Sequence, residues 1–204
     1  ATAMLMALAI GLAAGVMGAA RPGSFADRAT LGIALVGVSI PSFVIGAGLL
    51  LIFSVQLAWF PIGSWGSLRD LVLPSFTLSL PFAAYIARLT RMGMTEQLAM
   101  DYIRTARAKG LPESRVLLKH ALKNAFLPVL SYLGPACALA MTGSFVVERI
   151  FTVPGLGQHF VSAVQNKDLF LIIGVVLVYS TMLVVLNLTV DVLYRWIDPR
   201  VSVR

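Results

Sequence analysis

The stretch DYIRTARAKG, residues 101–110, gathers Asp101, Arg104, Arg107 and Lys109 into one place in a 204-residue chain that is 58% hydrophobic and only 12% charged. The chemistry open to such a set is recognition, because Arg and Lys donate charge-assisted hydrogen bonds to acidic or carbonyl groups of a partner. Asp101 is of a type that caps helix N-termini, residues 102–109 contain no breaker, and Gly110 is the residue with which helices most often end in a left-handed turn. The spacing therefore predicts a capped helix of about eight residues, ~12 Å long. A helix that short is marginal in water, so neighbouring elements must hold it. Membrane orientation needs only charge near the headgroups. A cap, a stop and the small Ala106 within one short element describe something more, a rigid docking surface that also includes Tyr102 and Thr105.

Other residues with chemical potential do not assemble into a catalytic set. The chain contains no G-x-S-x-G, H-E-x-x-H or paired-carboxylate arrangement, which disfavours an intramembrane enzyme. It also lacks G-x-x-x-x-G-K-[ST], so no ATP hydrolysis is expected of it. His120 and His159 fall in connections on opposite sides of the membrane and cannot share a metal, and no metal or cofactor site is expected in this chain. Cys137 is the single cysteine, so no intrachain disulfide can form, and a small buried side chain is expected there. Asp191, one turn after Asn187, is the only acid that could serve ion coupling, and its position near the inner boundary suits a structural role. Ser39, Ser42 and Phe43 around Pro41, and Ser75, Thr77 and Ser79 between Pro74 and Pro81, combine helix irregularity with hydroxyls. They either line a polar passage or bond helix carbonyls and pack between helices.

The elements that must position these residues are membrane spans. A mean hydropathy of +0.88 and apolar runs long enough for a hydrocarbon core of about 30 Å define an all-α integral membrane protein. Five segments stand out: residues 1–19, 31–57, 71–90, 125–147 and 169–194. We read them as one transmembrane domain over residues 1–204. Residues 1–19 lack a starting Met and a basic leader region, which argues against a signal peptide and for a genuine span. Trp59 and Trp65 suit interfacial anchoring. Ala3, Ala7, Gly11 and Gly15 form a small-residue stripe at spacing four, expected at a close helix contact.

Counting Lys and Arg in alternate connections orients the chain. Thirteen fall on one side, among them Arg21, Arg28, Arg88, Arg91, Arg115, Lys119, Lys123, Arg195, Arg200 and Arg204, against Arg69, Arg149 and Lys167 on the other. The first side is cytoplasmic and includes the connection at residues 91–124; the outer connection spans 148–168. Pro112 and Glu113 open a second cytoplasmic helix. There Arg115, Lys119 and Lys123 form a basic stripe beside an apolar stripe of Leu118, Leu122, Phe126 and Val129. In the outer connection, Leu156, Phe160 and Val164 after the Pro154-Gly155 turn predict a short amphipathic helix on the membrane.

The run DYIRTARAKGLPESRVLLKHALKNAFLPVLSY resembles the cytoplasmic EAA loop of binding-protein-dependent ABC importer permeases, in the form used by their oligopeptide and dipeptide branch. IPSFV (40–44), PGLGQ (154–158) and DVLYRWIDPR (191–200) match the same branch in the same order, most closely the first of its two permease subunits. The general EAA pattern has Glu and two alanines where this chain has Arg104, Thr105 and Ala106. It often has Pro where Lys123 stands. The peptide branch shares these departures, which rule out copying contacts from sugar or metal importers.

The resemblance implies a six-span bundle, its first span and a following outer region not included here, in a bacterial inner membrane. It implies that Asp101, Tyr102, Arg104, Thr105, Ala106, Arg107, Lys109 and Gly110 dock in a groove on a separate ATPase, which binds the ATP and Mg. It further implies a homologous second permease, two ATPase subunits, and an outer peptide-binding protein near Glu148, Gln158, Lys167 and Asp168. Membrane lipid is the remaining partner, and no nucleic acid is expected. The expected function is ATP-driven import of oligopeptides, with dipeptides, a nickel complex or glutathione as other cargoes of such systems. A secondary ion-coupled peptide carrier is the alternative, disfavoured by the scarcity of intramembrane acids.

Overall fold

The computed structural model describes residues 2–142 and 145–197, with the side chains at 141, 142, 190, 191 and 193–197 outside that description. Helices α1 (Thr2–Ala20), α2 (Phe25–Ser39) and α3 (Ser42–Leu49) come first, and a π-helical segment, Leu50–Gln56, continues α3. After a loop come α4 (Leu68–Leu98), α5 (Asp101–Ala108) and α6 (Glu113–Arg115), a second π segment Val116–Ala121, and α7 (Leu122–Ala125). Then follow α8 (Leu127–Thr142), α9 (Phe145–Ile150), α10 (Leu156–Gln165) and α11 (Leu169–Ile197). No strand occurs among the described residues, as the apolar, turn-poor sequence predicts.

Among the described residues, three helices are long and apolar enough to cross a membrane: Thr2–Ala20, Leu68–Leu98 and the Leu169–Thr189 part of α11. The α2 and α3 pair makes a fourth if it counts as one span. That pair breaks at Pro41, which stands at the N-cap of α3 with ψ 135°; a proline disfavours helical geometry in the residue before it. The apolar run 125–147 reads as the shorter stretch Leu127–Ala140, followed by α9. α4 has 31 residues, about 46 Å of helix, and so outruns the hydrocarbon core. In α11, Phe170, Leu177 and Leu188 are among many exposed apolar side chains, an arrangement that suits lipid as solvent.

The chain divides into two compact units. The first comprises residues 1–6, 40–80 and 134–204. Its centre is Leu73, Val147 and Phe151, wrapped by Leu49, Leu50, Phe53, Phe60, Ile150 and Val153. Gly46 meets Thr77 and Phe151 closely. Phe145 stacks on Phe160 of α10, ring centroids 5.2 Å apart.

The second unit comprises residues 7–39 and 81–133. Here the small-residue stripe does what its spacing predicts. A side chain on Gly11 would collide with Ile86 and the Ala83 carbonyl, one on Gly15 with Thr90 and the Ala87 carbonyl, so α1 and α4 touch backbone to backbone. Where α1 ends, Ser24 caps α2: its Oγ accepts the Asp27 N–H at 3.2 Å while Asp27 accepts the Gly23 N–H at 2.8 Å.

Candidate functional site

The stretch 101–110 is the helix its sequence predicts, displaced by one residue at its start. Met100, with extended backbone, occupies the N-cap, and Asp101 is the first helical residue with no side-chain cap bond. There its carboxylate still faces the positive end of the helix. At the other end Gly110 has φ +74°. Its N–H bonds the Arg107 carbonyl at 2.9 Å, and the Leu111 N–H reaches back to the Ala106 carbonyl at 3.4 Å. This bond pair is a Schellman turn, for which a residue without Cβ is the natural choice.

What holds so short a helix is burial on one side. Ile103 (0% exposed) and Ala106 (6%) face a core of Ala19, Met94, Val116, Ala121 and Ala125, closed by Leu98, Leu111 and Leu122. Ala106 therefore packs inward and is not part of the helix's outer face. Asp101, Tyr102, Arg104, Thr105, Arg107, Lys109 and Gly110 remain exposed. Tyr102 is nonetheless tied down, its hydroxyl donating to Gln97 Oε1 at 2.7 Å and accepting from Asn124 Nδ2 at 3.2 Å. Arg107 spans the Gly110 turn to Glu113, Nη2 to Oε1 at 2.6 Å. That bond holds the Glu113 carboxyl below its ordinary pKa. The outcome is a cationic ridge on a helix fixed at both ends and underneath.

The connecting helix departs from expectation in register. Pro112 sits at the N-cap of α6, one position before the first turn. The wide turn at Val116–Ala121 inserts one residue, so the inward stripe runs Val116, Ala121, Ala125, Val129, with a step of five and then steps of four. Leu118, expected on the apolar stripe, is 59% exposed as a consequence. Arg115, Lys119 and Lys123 stay on the exposed side.

An ion pair with no counterpart among the expected contacts braces this unit. Arg91, counted above only for orientation, donates Nη2 to Asp27 Oδ2 at 2.8 Å and Nε to Oδ1. Asp27 is 2% exposed. Residue type alone could not find this contact, because the partners lie 64 positions apart.

The residues considered for a passage scatter. Ser39 is exposed and donates to its own helix at the Leu35 carbonyl, 2.8 Å; Ser42 is half-buried and Phe43 exposed. Ser75, Thr77 and Ser79 are buried, and Ser79 bonds the Phe76 carbonyl at 2.7 Å. Ser75 pairs with Thr2, hydroxyl to hydroxyl at 2.7 Å, on the wall of a cavity of about 220 Å³ in the first unit. Of the outer set, Glu148 folds under the Pro154-Gly155 turn and accepts the Gly157 N–H at 2.9 Å. Gln158 donates to the Val153 carbonyl at 2.9 Å. Asp168 caps α11 by accepting the Leu171 N–H at 3.0 Å, and Lys167 is exposed. In α10 it is Gly157 and Ala163 that are buried, while Leu156 and Val164 lie on the exposed side. The side chain of Asp191 lies outside the described residues.

Described residues that form helices and no strand, with membrane-length apolar helices and a short, firmly held cationic helix, define a multi-span membrane protein that presents a rigid basic element. Residues 8–203 match the family model described as binding-protein-dependent transport system inner membrane component, and the chain belongs to that family. It is 43% identical over 201 residues to the dipeptide transport system permease protein DppB of Bacillus subtilis. It is 45% identical over 203 residues to the oligopeptide transport system permease protein OppB of Salmonella typhimurium and of Escherichia coli K12. These alignments cover 98% of this chain and 65% or 66% of the relatives, so the chain spans just under two thirds of their length. Among solved structures, an inward-facing MetNI methionine ABC transporter shares the fold, with TM-score 0.76 and 20% identity over 96% of this chain and 89% of that one.

Proposed function

We propose that this chain is part of the membrane-spanning permease of an ATP-driven importer of peptides, working with a second permease of similar fold, two ATPase subunits and an outer binding protein. The observation that carries the reading is the braced helix α5. It presents Arg104, Arg107 and Lys109 outward while Ile103 and Ala106 anchor it inward, as an element must be built if it is to receive force. ATP would be hydrolysed by the partner, and closure of two such partners would carry the two held helices together and rock the attached spans. The peptide cargo rests on the names of the relatives. The test is to purify the full-length protein by a tag, identify what co-purifies, and measure uptake of a radiolabelled tripeptide. An ATP-hydrolysing companion and uptake that stops when ATP is depleted with the ion gradient intact are the expected results. Uptake that persists without ATP would overturn the reading.

A further inference from the structure

Within the second unit an open groove of about 340 Å³ runs between α2 and α4, lined among others by Leu31, Leu35 and Val38 of α2 and by Tyr85 and Arg88 of α4. The Tyr85 ring is set against Tyr132, centroids 4.4 Å apart. Arg28 stands one turn before Leu31 on the same face of α2. The bond between Asp27 and Arg91 fixes the level at which the two antiparallel helices meet, so Arg28 and Arg88 share the end of the groove that charge counting places inside. Neither arginine side chain has a hydrogen bond or ion pair among the described residues. Asp27, the adjacent acid, is spent on Arg91 and the Gly23 N–H. Two permanent cations therefore stand at one end of an apolar trough with no counter-charge of their own.

The trough also has a telling length. From Arg28 to Val38 the helix rises about 15 Å, half of a hydrocarbon core about 30 Å thick. Leu35 and Val38 on the groove side and Ile33 and Val36 on the opposite face are all exposed, as suits a helix whose solvent is hydrocarbon. We propose that this groove is a binding site for one anionic phospholipid of the cytoplasmic leaflet, its phosphate taken by Arg28 and Arg88 and an acyl chain laid along Leu31, Leu35 and Val38. Charge at the headgroup level and an apolar run as deep as one leaflet reproduce the polarity of such a lipid. The site stands apart from the transport reading and needs only that α2 and α4 lie in a membrane.

The experiment uses the full-length protein, purified in detergent with the subunits it retains and titrated with dioleoylphosphatidylglycerol, the phosphatidylcholine of the same chains, or glycerol phosphate. Native mass spectrometry follows the first molecule bound. Phosphatidylglycerol should bind about tenfold or more tighter than either other probe, and Arg28→Gln with Arg88→Gln should remove about that factor, the worth of a charge-assisted hydrogen bond. Arg115→Gln takes one charge from the same side of the membrane and should leave that affinity unchanged. In membranes, benzoylphenylalanine placed at Leu35 should cross-link to lipid. Equal binding of the two lipids, an equal loss in Arg115→Gln, or no loss in the double variant overturns the site. Glycerol phosphate binding as tightly as the whole lipid would make it a phosphate site and overturn the lipid. A cross-link from position 35 to a protein subunit would show the groove covered by a partner, and overturns it likewise.

Discussion

Gly110 does its work through what it lacks. No atom lies within 4 Å of the place a Cβ would take, so substitution there costs backbone strain and not a clash. Gly110→Ala should therefore be mild, about 1 kcal/mol. Gly110→Pro should be severe, since proline cannot reach φ +74° and has no N–H for the Arg107 carbonyl. On the proposed function, uptake should be lost in the proline variant while membrane insertion, followed by fractionation, is retained. The Arg107 and Glu113 bridge is half-exposed, 44% and 55% for the two side chains, and so stabilises little. Because Arg107 depresses the Glu113 pKa, the bridge is complete above the unfolded carboxyl value of about 4.3 and is lost as pH falls through the lower folded one. The protection of the Gly110 and Leu111 amides, taken relative to intrinsic exchange at each pH, should fall under acid, and Glu113→Gln should remove that acid step.

At the scale of elements, α5 is amphipathic on a very small footing, two inward residues. Ile103→Ala removes the larger of them from a site with 0% exposure, at a cost of about 2–5 kcal/mol. The helix should fray before the spans unfold, seen as proteolysis within residues 101–110 of a chain still in the membrane. Arg104→Glu with Arg107→Glu leaves the buried side intact. On the proposed function it should abolish both uptake and co-purification of the ATPase. Contact between α1 and α4 depends on hydrogen-sized side chains, so Gly15→Leu should separate the pair and lower the thermal midpoint in detergent. Much of this was legible beforehand. The start and stop of α5 and the spacing of Gly11 and Gly15 are local signals, readable within a few turns. The inward position of Ala106 and the exposure of Leu118 were not, because periodicity reports a stripe without saying which neighbour covers it. A single widened turn also rotates every later residue.

For the whole molecule, fold class followed from hydropathy and the family from several motifs in order. The pairing of Asp27 with Arg91 did not, since burial of an ion pair depends on tertiary approach. Removing Asp27's charge leaves the Arg91 guanidinium, largely enclosed, without its counter-charge. Asp27→Asn should therefore lower the yield of folded protein far more than Arg28→Gln, whose side chain has no such bond among those described.

The π segment at Val116–Ala121 carries a consequence for how this connection tolerates length changes. A turn holding one surplus residue is a place where the chain can give one back. Deleting Lys119 should let the segment relax to ordinary α-helical winding, with the flanking helices still in line and their inward faces in step. Deleting Asn124 from the tightly wound α7 has no such slack and should throw the following span out of phase. Of two excisions only five positions apart, the first should yield a protein that folds and the second one that does not, as gel filtration would distinguish.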